Sequence, residues 1–198
     1  GNMPLNENDL VAFVDESSSP RGPHLQEYLV CAAVLSAEDT EEIRSVLRPL
    51  KLPGQTKLHW TNERDSRRRK IVAVLSSLES MQIVVAHRSA PDPKTERYRR
   101  KCLEQLYFEL GQMEVRDLVL ESRRPGQNRK DMEHIVMLQG RGQAQSVRIR
   151  HVMGRDEPLL WIPDAVLGAL NSAHLGDGQY WETLQDRVVL QRKTPDSL

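Results

Sequence analysis

The sequence predicts an α/β domain built on a mixed β-sheet. Three observations carry this expectation. Five short apolar runs have the length and β-branched content of strands. The first two follow one another directly, and each of the other three comes after a segment with helical periodicity, an order typical of mixed α/β sheets. The chain of 198 residues is also long enough for one domain burying about 70% of its unfolded surface.

The first strand is "LVAFV" (10–14), an apolar run that ends in Asp15-Glu16. A polar loop, "SSSPRGPHLQE", follows and is too long for a two-residue turn. The second strand is "YLVCAAVLS" (28–36). In "SAEDTEEIRSVLRPL", Ser36 and Asp39 resemble a capping box, and Ile43, Val46, Leu47 and Leu50 recur at helical spacing. Residues 51–63 are irregular, broken at Pro53-Gly54. Ile71, Val74, Leu75 and Leu78 mark a second helix over 64–79, so 37–80 forms a helical insertion between strands two and three. "MQIVVAHRS" (81–89) is the third strand. The clearest helix spans 94–113, with Leu103, Leu106, Leu110 and Met113 on one face. The fourth strand ends at Glu121, a helix closes at Gly140, and 145–153 is the fifth strand. Proline is tolerated only in the first turn of a helix, so Pro163 places the start of the last long helix near Trp161 or Ile162. Residues 176–198 form a tail without a clear signal, outside a core of about 10–175.

Charge excludes some classes. Lys plus Arg and Asp plus Glu are both 28, so the chain does not coat nucleic acid by bulk charge. The arginines cluster in "RDSRRRK", "RYRRK" and "SRRPGQNRK", and such clusters are more often solvated helix faces than binding surfaces. Cys31 and Cys102 lie in apolar stretches without a CxxC partner and read as core residues in a reducing compartment. No apolar run has membrane-spanning length, and the first ten residues contain no signal-peptide core. A cytoplasmic location away from membranes is therefore expected. The six histidines lack zinc-site spacing, and no phosphate-binding loop or serine-hydrolase elbow occurs.

Three carboxylate positions stand out. Asp15 and Glu16 close the first strand, Glu121 closes the fourth, and Asp164 lies in the first turn of the last helix. Each has a plain structural reading. Asp15 fits a local Asp-x-Ser turn, Glu121 could pair with Arg123 or Arg124, and Asp164 complements the helix dipole. Their coincidence is harder to dismiss, because central strand ends are where α/β sheets gather functional groups. Crowded carboxylates repel, and Mg²⁺ or Mn²⁺ with its preference for oxygen ligands is the usual remedy. Asp117 is a substitute for Glu121, on the same face of the same strand. Gly168, one turn beyond Asp164, would let its helix lie close against the sheet.

These residues also carry a resemblance. "FVDESS" resembles the opening signature, an apolar residue followed by Asp-Glu-Ser-Gly, of domain-of-unknown-function family 3800, itself similar to ribonuclease H-like nucleases and integrases. "RDEPLLWIPDAVLGAL" is similar to that family's closing motif. "DLVLESR" falls where the family has a carboxylate, and "KLHW" where it often has Glu-x-His. The chain departs at Ser18, where glycine is usual, at Lys57, where the acid is usual, and at Pro163, where alanine is usual. The resemblance implies a ribonuclease H-like fold with five strands, the first central, and helices on both faces. It implies Asp15, Glu121 and Asp164 as metal-binding catalytic carboxylates for Mg²⁺ or Mn²⁺, with Glu16 as an accessory. Ser17, His59 and Arg123 are then the candidate substrate contacts. The expected activity is metal-dependent phosphodiester or nucleic-acid hydrolysis. Two alternatives stay open: a non-catalytic nucleic-acid-binding or regulatory module, and a small-phosphoester hydrolase.

Overall fold

A residue row that alternates between two apolar layers must be buried on both sides, and the first two strands are. In the computed structural model, which describes residues 9–198, Val11 and Phe13 join one hydrophobic cluster while Ala12 and Val14 join another. The sheet contains β1 (Leu10–Pro20), β2 (Gln26–Ser36), β3 (Met81–Ser89), β4 (Asp117–Glu121), β5 (Arg148–Val152) and β6 (Val188–Lys193). Their spatial order is β5-β4-β1-β2-β3-β6. β2 runs antiparallel to β1 and β3, whereas the β1–β4, β4–β5 and β3–β6 pairs are parallel. β1 is thus interior, as expected.

Helices cover both faces. The cluster of Val11 and Phe13 takes in side chains of α1 (Thr40–Leu47), α2 (Asp65–Ser76), α5 (Trp161–His174) and α6 (Gln179–Leu184). The cluster of Ala12 and Val14 takes in α3 (Glu96–Gln112) and α4 (Pro125–Gly140). Cys31 and Cys102 are buried free thiols. Among the described residues no helix is long and apolar enough to cross a membrane.

The structure differs from expectation in four places. The sheet has six strands rather than five, because the 176–198 segment folds as α6 and an edge strand. β1 does not stop at Val14. It continues through the serines to Pro20, paired residue by residue with β2 as far as Gln26, so Asp15 and Glu16 lie within the strand. The pairing satisfies the backbone that three polar residues would otherwise give to water. The reversal is confined to 21–25, with Gly22 at a φ of +86° and Arg21 N donating to Leu25 O at 2.8 Å. Finally, Ser36 makes no side-chain cap. A short 3₁₀ turn over Ala37–Asp39 leads into α1 instead.

Candidate active site

The site forms where β1 outlasts β4. Their parallel ladder runs from Val11–Asp117 to Val14–Leu120, after which the strands part. Asp15 continues the row of Val11 and Phe13 and faces the α5 side of the sheet. Glu121 follows Val119 in the same way from β4. A cavity of 270 Å³ there is lined by Asp15, Glu16, Lys57, His59, Glu121 and Asp164, with Trp161 and Gly154 among its walls. Three of the expected carboxylates therefore converge, from β1, β4 and α5. Asp117 does not. It sits opposite Val11, four residues back from Glu121 and about 13 Å along the strand.

Each carboxylate has a different environment. Burial, and then the charge of Asp164, hold the Asp15 carboxyl up at about 8, with smaller pushes from Glu121 and Glu16. The Glu16 backbone N–H, 2.8 Å from Asp15 Oδ1, pulls the other way. Asp164 accepts from the Trp60 backbone N–H at 2.9 Å, and its Oδ1 lies 3.3 Å from His59 Nδ1. That contact with Asp164 raises the His59 pKa against the opposing effects of burial and Lys57. Glu121 is engaged by Lys57, whose Nζ lies 2.7 Å from Oε1. Burial works against the Lys57 ammonium, yet Glu121, and behind it Asp15 and Asp164, hold its pKa above the ordinary value.

Two glycines make this packing possible. A Cβ on Gly154 would lie 2.1 Å from Glu121 Oε1, so any other residue there would push that carboxylate from its present place beside Lys57. A Cβ on Gly168 would lie 2.2 Å from Trp60 Cδ1. Close approach at Gly168 thus serves the Trp60 indole rather than the sheet. The buried indole anchors the 57–60 loop on α5, and its own backbone N–H holds Asp164. Ser17 faces the same side and accepts from Asn171 Nδ2 at 2.9 Å, a second tie between β1 and α5.

Glu16 and Arg123 are engaged in ion pairs at the same strand ends, where they line a second small cavity with Asp15, Glu121 and Arg99. The two-residue alternation of β1 sends the Glu16 side chain to the opposite face, where its Oε2 accepts from Arg99 Nε at 2.6 Å. Arg99, 2% exposed, also makes two bonds to Asp131. Asp131 in turn binds His151 and Arg123, and Arg123 reaches Glu96. Both side chains are partners in an ion network centred on Arg99 and Asp131 that adjoins the site. Among the described residues no group of three or more His, Cys, Asp or Glu stands ready to hold a metal ion, and Glu121 is committed to Lys57. The Lys57–Glu121 pairing, Gly154 and the Trp60 N–H were the parts of the site that the sequence did not announce.

The chain is similar to the RNase HII of Archaeoglobus fulgidus, solved in a complex with PCNA. The TM-score is 0.50 at 13% identity, over 84% of this chain and 75% of that one. It is also similar to ribonuclease H2 from Pyrococcus horikoshii OT3, with a TM-score of 0.48, 14% identity and coverage of 84% and 74%. Bst-RNase HIII in complex with Mn²⁺ gives a TM-score of 0.36 at 12% identity, covering 83% of this chain and 55% of that one. No family model matches the chain, so the likeness to domain-of-unknown-function family 3800 stays a resemblance. No curated protein matches it. Strand order, the single antiparallel strand and the first of these structures together define a ribonuclease H-like fold.

Proposed function

We propose that this chain is a divalent-metal-dependent phosphodiester hydrolase acting on nucleic acid. One observation carries the reading: Asp15, Glu121 and Asp164, from three separate elements, border one cavity, and Asp15 is held up at about 8 by burial and its neighbours. A carboxylate kept protonated by burial and by like charges beside it is one that a cation would reclaim. The three carboxylates bordering that cavity offer the oxygen donors that Mg²⁺ or Mn²⁺ prefers, and an ion there would draw them together from positions that are not yet a ready three-ligand group. When bound, such an ion supplies Lewis-acid polarisation of the phosphate and a bound water of lowered pKa.

The chain's own groups do the rest. The Trp60 N–H fixes the orientation of Asp164, and Gly154 leaves room for the Glu121 carboxylate beside it. His59, with 44% of its side chain exposed and Nδ1 held by Asp164, offers Nε2 to the substrate as a contact or as proton donor to the leaving oxygen. Ser17 contributes by tying β1 to α5 through Asn171.

Asp15→Asn tests the reading. Mn²⁺ should raise the melting temperature of the wild type and do so far less for the variant, and cleavage of RNA, DNA or RNA–DNA hybrid should depend on Asp15. Equal stabilisation of both proteins by Mn²⁺ would sink the metal site. A second reading is hydrolysis of a small phosphoester. Arg67 and Arg68 are spent on Glu63, Leu50 and Trp60, and Arg99 is buried, whereas Arg64, Arg69 and Lys70 of the first cluster, Arg97 and Arg100 of the second and Arg124, Arg129 and Lys130 of the third stay exposed. Metal-dependent turnover of a model phosphodiester without cleavage of any polymer would favour it.

A further inference from the structure

We infer that Lys57 is a built-in cation of the carboxylate site, standing in the place of a second metal ion and limiting the site to one divalent ion. The inference rests on the proposed metal-site reading and deepens it. Its basis is the packing around Glu121. Lys57 Nζ lies 2.7 Å from Glu121 Oε1, and both side chains are about one-third exposed, so the pair is formed at the cavity wall rather than out in solvent. Gly154 supports it. A Cβ at that position would be 2.1 Å from Glu121 Oε1 and 3.3 Å from Lys57 Nζ, so the backbone there is shaped to admit both partners.

Charge leads to the same stoichiometry. Glu16 also lines the cavity but is neutralised by Arg99, so Asp15, Glu121 and Asp164 face one ammonium there, which leaves two formal negative charges when all three acids are ionised. One divalent ion neutralises that charge. A second would have to approach both the first ion and the Lys57 ammonium, and unit charges at such separations repel strongly in a partly desolvated site. His59, held against Asp164, adds to that repulsion when protonated. Two-metal sites place their ions about 4 Å apart, bridged by a shared carboxylate, and here Glu121 already gives Oε1 to Lys57. Lys57 thus does electrostatically what a second ion does elsewhere, without being exchangeable.

The test is the number of Mn²⁺ ions bound per chain, counted from the free-ion electron paramagnetic resonance signal and from calorimetric titration. The wild type should bind about one ion, and Lys57→Met about two, with a larger Mn²⁺-induced shift in melting temperature. Lys57→Gln, which keeps a polar side chain of similar reach, should follow Lys57→Met, while Lys57→Arg should keep the wild-type count. Circular dichroism without metal confirms that each variant is folded. Two ions in the wild type, or one ion at unchanged affinity in both neutral variants, would overturn the role of Lys57 and leave the metal site standing. No binding by any of the proteins would instead overturn the metal-site reading, and with it this inference.

Discussion

At the scale of single residues, Asp15 makes the clearest pH-dependent demand. Its folded-state pKa of about 8 lies far above the ordinary 3.8, so the folded chain holds a proton that the unfolded chain releases. The linked stability is fully present below the unfolded value. It declines as pH rises from there and levels off beyond the folded value. Asp15→Asn cannot ionise and lacks this decline. The variant should therefore gain stability relative to wild type between about pH 4 and pH 8, by an amount on the order of a few kcal/mol at most. Urea denaturation of both proteins across that range measures it, and a pH-independent difference would refute the assignment. Asp15 and Asp164 were legible in the sequence because each sits beside a strong local signal, an apolar run and a first-turn proline. Lys57 and Gly154 were not, since their meaning lies in Glu121, which is distant along the chain and close only after folding.

At the scale of elements, α5 is held to the site by a close contact rather than by hydrophobic area alone. Replacing Gly168 with alanine sets a methyl 2.2 Å from Trp60 Cδ1, and the indole is boxed in by Tyr180 at a centroid distance of 5.0 Å and by Arg68 above its ring. The helix must move or the indole must leave. Gly168→Ala should cost about 1–3 kcal/mol, as overpacking does, despite alanine's better helix propensity. It should also blunt the Mn²⁺-induced thermal shift, because the same loop orients Asp164. A variant as stable as wild type in thermal melts would mean that the indole has room to spare. Helix and strand positions were largely readable: β3 falls on 81–89 as expected, and α5 starts at Trp161. The length of β1 was not, because serines lack an apolar period and their strand character comes from pairing with β2. β6 escaped for a related reason. It is a short, mostly exposed edge strand, apolar in its first half and polar in its second, without the alternation that marks a strand.

Across the whole molecule, the two faces of the sheet divide labour. The α5 face holds the acids that crowd without a full complement of cations, whereas the α3 face holds Glu16 and Asp131 fully paired around Arg99. Removing one partner of such a buried set leaves charge stranded. Arg99→Leu should destabilise by about 3–5 kcal/mol in chemical denaturation, far more than loss of an exposed arginine such as Arg69. Equal, small effects at the two positions would show that the network is not structural. The fold class could be read from strand and helix order, since that order fixes the layers. The two-faced charge arrangement could not, because it depends on which residues of distant elements meet.

The hydrogen bond from the Trp60 backbone N–H to Asp164 joins residues separated by 104 positions, whereas β1, β2 and β3 pair antiparallel through shorter connections, a tight reversal and the helical insertion of 37–80. Contacts close in sequence close their loops at lower entropic cost and tend to form first. These three strands can thus organise while the acids of β4 and α5 are still far from Asp15, so the mutual repulsion at the site is met only near the end of folding. In pulse-labelling hydrogen exchange during refolding, amides central to β2 should gain protection before the Trp60 amide does. Simultaneous protection would mean that the site and its scaffold form as one cooperative unit.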